Sequence, residues 1–443
     1  MGQENLKNSI VPIDQKPLEL SDDFNYALDL LEKTRKSMFI TGRAGTGKST
    51  LLRLFRKSTR KKTVVLAPTG IAALNVKGQT IHSFFGFPPR PDFQDHINKR
   101  RNRSLYKKME VLIIDEISMV RADIIDGINR FLQINRENSL PFGGVQMVFF
   151  GDLFQLPPVV ASPEEKMLFQ SYYESPYFFS GKVYTEDGFE MEMLELRKVY
   201  RQEARQFIRL LDAVRTNRID YDDLEDLNER HLPDFELEDY YITLSTRNSI
   251  VNRINARQLE RLDAPNFKYL ASVTGKFENR LFPTEQILQL KVGAQVMFIK
   301  NDPERHFVNG TIGKVISLSE DVIKVEVEDF SEEKEVIEVT KMDWEVLKYK
   351  TNVANSKAIE TEVIGTFTQY PLRLAWAITI HKSQGKTFDK VIIDLGRGAF
   401  EHGQTYVALS RCRTLEGIVL KQALRAQDVQ VDDIIVEFYE QSF

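Results

Sequence analysis

The sequence predicts an α/β fold in which two parallel-sheet units share one chain and a small β-barrel is inserted into the second. That expectation rests on continuous apolar runs ending in polar or small residues, a glycine-rich loop directly after the first run, and a band of short alternating strands over residues 290–350. At 443 residues the chain is too long for one compact core, because domains run to roughly 100–200 residues.

The elements follow in order. Phe24, Ala27, Leu28 and Leu31 recur at helical spacing, and SMFIT (37–41) then reads as a short strand. VVLAPT (64–69), VLIIDE (111–116) and VQMVFFGD (145–152) repeat the strand signal. Runs that are apolar throughout, rather than alternating, indicate strands buried on both faces of a parallel sheet, and such sheets place ligands beyond the carboxyl ends of their strands. A second α/β unit is expected from about Phe189, built from YITLST (241–246), IGTFTQ (364–369), LAWAITIH (374–381), VIIDL (391–395) and GIVLK (417–421). Between these, KVGAQVMFIKND, TIGKVISL, DVIKVEVED and KEVIEVTKM alternate and are broken by Asn309-Gly310 and acidic turns, the pattern of antiparallel hairpins. The expected division is 1–189 for the first unit, 190–289 with 366–443 for the second, and 290–365 for the barrel.

Composition narrows the function classes. A hydrophobic fraction of 42% and a charged fraction of 28% describe a soluble globular chain. No apolar run approaches the ~18 residues that a spanning helix needs, so no membrane partner is expected. Cys412 is the only cysteine, which excludes an intrachain disulfide and a cysteine metal cluster. The net charge of −4 argues against a globally basic nucleic-acid binder, so any such path must be local. Two basic clusters stand out, Arg56–Lys62 and Lys99–Lys108; for each, a solvated face weighs as much as a phosphate contact.

Chemistry enters with GRAGTGKS, Gly42 to Ser49. A loop with glycines at this spacing turns its backbone N–H groups toward phosphate oxygens while the next helix presents its N-terminus to the same charge. Gly42, Ala44, Gly45, Thr46, Gly47, Lys48, Ser49 and Thr50 are therefore the expected nucleotide-binding set, with Lys48 on the β/γ-phosphates and Ser49 on Mg²⁺. Asp115 and Glu116 end the VLII strand, so Asp115 is expected to order the metal shell and Glu116 to polarise the attacking water. Gln155, in GDLFQLPPV (151–159), is suited to sensing a γ-phosphate. Arg201 and Arg411, both assigned to the second unit, are expected to complete the site across a cleft.

In family order, GRAGTGKS, APTGIAALNVKGQTIHSFF (67–85), IIDEISM, GDLFQLPPV, VYRQ running into FIRLLDAVRTN, TIHKSQGKTFD (379–389) and YVALSRC (406–412) resemble the superfamily 1B helicases. Within them the chain resembles the Pif (petite integration frequency) family, with RecD-like helicases as relatives. The resemblance implies two RecA-like P-loop NTPase domains, an SH3-like inserted barrel, ATP and Mg²⁺ as cofactors, and 5′-to-3′ movement on single-stranded DNA with unwinding of 5′-tailed duplex. Guanine-quadruplex DNA is a further candidate substrate, and a monomer is expected when the protein is free of DNA.

Carried over by position, Thr69, Gly70, His82, Ser83, Thr246, Arg247, Asn248, Thr379, His381 and Lys382 are the expected DNA contacts, and Gly385 would lie near the phosphates. Hydroxyls, backbone N–H groups and imidazole planes suit a track that meets any base equally. The family's adenine-reading glutamine is missing from LSDDFNYAL, and Asn25 is its expected substitute. An ATP-driven translocase and an ATP-gated clamp stand as alternatives. A bacterial cytoplasm, beside the nucleoid, is the expected location, with a nucleus if the chain is a eukaryotic core fragment.

Overall fold

The computed structural model describes residues 21–443 apart from 89–92, 161, 305, 329–332 and 352–357. The first sheet contains β1 (Ser37–Gly42), β2 (Thr63–Ala67), β3 (Gln79–Thr80), β4 (Val111–Ile114), β5 (Gln146–Phe150) and β6 (Met191–Leu196). All are parallel, in the spatial order β3-β2-β4-β5-β1-β6. Phe39 packs into one core while its neighbours Met38 and Ile40 pack into another on the opposite face, which is why SMFIT is apolar throughout.

β7 (Ile242–Ser245) opens a second sheet, after which the chain leaves for a run of antiparallel strands. These are β8 (Phe267–Leu270), β9 (Ser272–Gly275), β10 (Ile287–Leu290), β11 (Gln295–Phe298), β12 (Ile312–Leu318), β13 (Ile323–Glu328), β14 (Lys334–Val339), β15 (Met342–Thr351), β16 (Ile359–Gln369) and β17 (Leu372–Leu374). The chain returns with β18 (Ala377–Thr379), β19 (Val391–Asp394) and β20 (Ile418–Leu420). The second sheet is parallel in the order β18-β7-β19-β20. One hydrophobic core runs through both units, taking in Phe39 and Leu112 from the first and Leu244, Val391 and Tyr406 from the second.

Three expectations about boundaries change. Met191–Leu196 pairs with β1, so the first sheet extends past residue 189; this half-buried MEMLEL strand lacks the continuous apolar run of β1, β2, β4 and β5. IGTFTQ does not belong to the second parallel sheet, because it lies in β16, which pairs antiparallel with β15 and β9. The inserted region begins with β8 and ends with β17, so it is wider than 290–365. Its centre is a five-stranded antiparallel sheet in the linear order β14-β13-β12-β11-β17, with a core of its own around Leu288, Val296, Val325 and Tyr370. No described helix is long and apolar enough to cross a membrane.

Candidate active site and nucleic-acid rim

The glycine-rich loop leaves β1 and feeds the helix Lys48–Ser58 through Gly47, whose φ of 88° is the left-handed conformation that glycine adopts without strain. Gly45, at φ 84°, lies against Arg201, where a Cβ would come within 2.5 Å of the arginine Cβ. Tyr200 N–H donates to Gly45 O at 2.9 Å, so the segment after β6 is pinned to the loop. The Lys48 ammonium donates to Gly42 O at 2.5 Å and Arg43 O at 3.0 Å, beneath the loop. Burial pushes its pKa down, while Asp152 and Glu116 act in the opposite direction.

A cleft of about 460 Å³ opens beside this loop, within the size range of small-ligand sites. One wall carries residues 44–50, Asp115, Glu116 and Gln155, and the other carries Gly385, Thr387, Arg411 and Arg413. Burial, then the charge of Glu116, pushes Asp115 up to about 7. Glu116 is also raised, by burial, against the pull of Lys48 and Arg411. Such a pair suits a divalent cation, which holds neighbouring carboxylates ionised where they would otherwise take up protons. With amides at a helix N-terminus and Ser49 at its start, the donor set fits a magnesium nucleotide.

Arg411 is held in place rather than projecting freely. Its Nε donates to Val407 O at 2.8 Å and its NH2 group to Ser410 Oγ at 2.7 Å. Arg201 is not part of the second unit as expected. It follows β6 of the first sheet, and its NH1 group reaches across to Ser410 O at 2.9 Å. Burial, then Arg411, pushes Arg201 down to about 9, so two cations face each other where an anion would relieve both.

Asn25 is corrected by the structure. It is exposed on the helix Asp22–Lys33 and does not line the cleft; its neighbour Phe24 does, together with Tyr200. The expectation was an amide, and the cleft presents these two aromatic rings instead. Thr387, inside TIHKSQGKTFD, and Arg413, directly after YVALSRC, also line the cleft and were not among the expected site residues.

All ten DNA candidates lie at the carboxyl ends of parallel strands. Thr69 and Gly70 follow β2, His82 and Ser83 follow β3, Thr246, Arg247 and Asn248 follow β7, and Thr379, His381 and Lys382 end or follow β18. Their accessibility differs. Thr69, Ser83, Arg247, Asn248 and Lys382 are exposed, His82 and His381 half-buried, and Thr246 and Thr379 buried. Thr379 accepts from Lys382 N–H as a helix cap at 3.3 Å, and Thr69 caps the next helix through Ala72 N–H at 3.2 Å. His381 Nε2 lies 3.2 Å from Glu401. Burial lowers the pKa of His82. Of the two basic clusters, Lys99, Arg103 and Lys107 all converge on Glu137, and Arg56 and Lys61 are spent on backbone carbonyls.

Family models match residues 22–225 as PIF1-like helicase and residues 277–318 as the 2B domain of DNA helicase Pif1. The ATP-dependent DNA helicase Pif1 of Bdellovibrio bacteriovorus is 33% identical over 435 residues, covering 96% of this chain and 92% of that protein. The chain belongs to the PIF1-like helicase family. Among solved structures of the family, Bacteroides sp. Pif1 in complex with ADP-AlF4 superposes with a TM-score of 0.87 at 38% identity, covering 95% of this chain and 96% of that one. Bacteroides Pif1 bound to ssDNA gives 0.66 at 39% identity over the same shares. Near-equal identity with unequal superposition marks a different arrangement of parts rather than a different fold.

Proposed function

We propose that this chain is an ATP- and Mg²⁺-dependent DNA helicase that moves 5′ to 3′ along single-stranded DNA and separates duplex ahead of it. One observation carries the reading: a phosphate loop, an acidic pair and two facing arginines line a single cleft between two parallel sheets whose strand ends carry the DNA candidates. Closing such a cleft on a triphosphate and reopening it after hydrolysis moves one strand-end rim relative to the other, which converts hydrolysis into a step. The relatives named ATP-dependent DNA helicase, and those solved with ADP-AlF4 or with ssDNA, support the same assignment.

In this reading Lys48 binds the β- and γ-phosphates, Ser49 and Asp115 hold Mg²⁺, and Glu116 polarises the attacking water. Gln155 reports the γ-phosphate, while Arg201 and Arg411 neutralise charge developing on the transferred phosphoryl group. Phe24 and Tyr200 offer apolar faces beside the loop in place of an adenine-reading amide. The exposed Thr69, Ser83, Arg247, Asn248 and Lys382 meet sugar and phosphate, and the buried Thr246 and Thr379 shape the rim.

Unwinding of matched duplexes with a 5′ or a 3′ single-stranded tail tests the proposal. Strand release from the 5′-tailed substrate alone, dependent on ATP and Mg²⁺, is the expected result. Release from the 3′-tailed duplex alone would overturn the polarity, and ATP hydrolysis without release from either would overturn the helicase assignment.

A further inference from the structure

A chain of buried polar groups crosses from the nucleotide loop to the second unit. Ala44 N–H donates to Tyr406 Oη at 2.9 Å, and the Tyr406 hydroxyl lies 3.2 Å from Asp152 Oδ2. The same carboxylate accepts from Gln155 Nε2 at 3.2 Å, Phe154 N–H at 3.3 Å and Arg215 Nε at 3.3 Å. Tyr406, Asp152 and Arg215 are 3%, 1% and 1% exposed, so water does not screen these bonds. The Arg215 guanidinium also stacks on Phe154 at 4.4 Å and on Tyr439 at 5.2 Å.

The directions of these bonds are fixed by charge. Burial alone would raise Asp152, but the Arg215 guanidinium and the Lys48 ammonium hold its carboxyl below the ordinary range, so it is ionised and can only accept. Burial and that negative charge push the Tyr406 phenol up, so it keeps its proton and donates to Asp152. Its oxygen lone pair is then left for Ala44 N–H. The hydroxyl is thus a two-sided link between a loop amide and a carboxylate, and a phenylalanine ring cannot supply it.

Tyr406 lies in the helix Gln404–Leu409, which leads directly into Ser410 and Arg411. The helix starts at Gly403, where a Cβ would come within 2.4 Å of Gln155 O. The Asp152–Gln155 loop is therefore clasped at two points by the second unit, at Gly403 through close backbone approach and at Tyr406 through its hydroxyl.

We infer that Tyr406 is a positioning residue for hydrolysis: its hydroxyl ties the nucleotide loop and Gln155 to the helix that leads into Arg411, and so holds the elements around the γ-phosphate in register. The inference rests on the ATP-driven reading above. Neither Tyr406, Asp152 nor Arg215 touches the nucleotide in this scheme; they act through Gln155, Ala44 and Arg411.

The test is steady-state ATP hydrolysis by the full chain at saturating single-stranded DNA, for the wild type, Tyr406→Phe, Asp152→Asn and the double variant. Tyr406→Phe keeps the ring and its packing. Losing a hydrogen bond to a buried charge is expected to lower kcat about tenfold, with KM for ATP held within about threefold. The double variant is expected to fall no further than Asp152→Asn alone, because both substitutions break one shared link. An unchanged kcat for Tyr406→Phe, a rise in KM alone, or multiplicative losses in the double variant would each overturn the inference. Absence of turnover in the wild type would instead refute the ATP-driven reading.

Discussion

At the residue scale the site depends on charges held where water is scarce. Lys48 donates to two loop carbonyls, and in the proposed function a phosphate oxygen takes their place, so Lys48→Ala is expected to abolish ATP turnover in a phosphate-release assay, leaving the fold intact by circular dichroism. Lys386 makes a different prediction. It lies between the cleft residues Gly385 and Thr387, and its ammonium donates to Asn309 Oδ1 of the inserted region at 2.9 Å. Burial, then Arg373 and Arg411, pushes its pKa from 10.5 down to about 8. A folded pKa below the unfolded one means that the unfolded chain binds more protons between those values, so this group makes stability rise as pH climbs from about 8 to 10.5. Lys386→Met is expected to raise stability at pH 7 by about 1–2 kcal/mol and to remove its share of that rise, read from urea midpoints at pH 7 and pH 9.5. Most cleft residues were legible in the sequence because a phosphate loop and a strand-ending acidic pair are local patterns. Asn25 failed because a position in a helix says nothing about which face it occupies. Arg201 was placed in the wrong unit because a linker residue belongs to whatever it packs on.

At the scale of elements, the helix Gln404–Leu409 is the piece that makes the cleft a two-sided structure. Gly403 starts it at a φ of 74°, and a Cβ there would meet Gln155 O at 2.4 Å and Phe154 O at 2.6 Å. Both the conformation and the contact demand glycine. Gly403→Ala is expected to cost about 1–3 kcal/mol and to lower the thermal midpoint by a few degrees, about 2–4 °C, with ATP turnover falling more than nucleotide binding. An unaltered midpoint would show that the two units separate at this point without cost. The strands divide by the same logic of local against distant information. β1, β2, β4 and β5 are apolar on both faces and could be read directly, whereas β6 is half-buried at a sheet edge and β16 alternates in a hairpin, so pairing partners far along the chain decided where they belong.

At the scale of the whole molecule, the inserted region is fastened to the first unit. The side chain of Leu281 lies against Gly70, where a Cβ would come within 2.2 Å of it, so one of the DNA candidates is covered by the insert in this arrangement. The hairpin of β15 and β16 supplies the second fastening. Val65 N–H, in the stretch of β2 that β3 does not reach, donates to Tyr349 Oη at 3.0 Å, and the Tyr349 ring meets Phe84 edge-on at 5.9 Å. DNA lying across Gly70 requires the insert to move off it, and the Tyr349 contact opposes that movement. A ligand that binds one of two arrangements gains apparent affinity when the other is weakened. Tyr349→Phe keeps the ring but leaves Val65 N–H unpaired, removing about 1 kcal/mol from the fastened arrangement alone. Single-stranded DNA is therefore expected to bind this variant about fivefold more tightly in a fluorescence-anisotropy titration at fixed salt. Weaker binding would mean that Tyr349 supports the DNA-bound arrangement instead, with the hairpin forming part of the track.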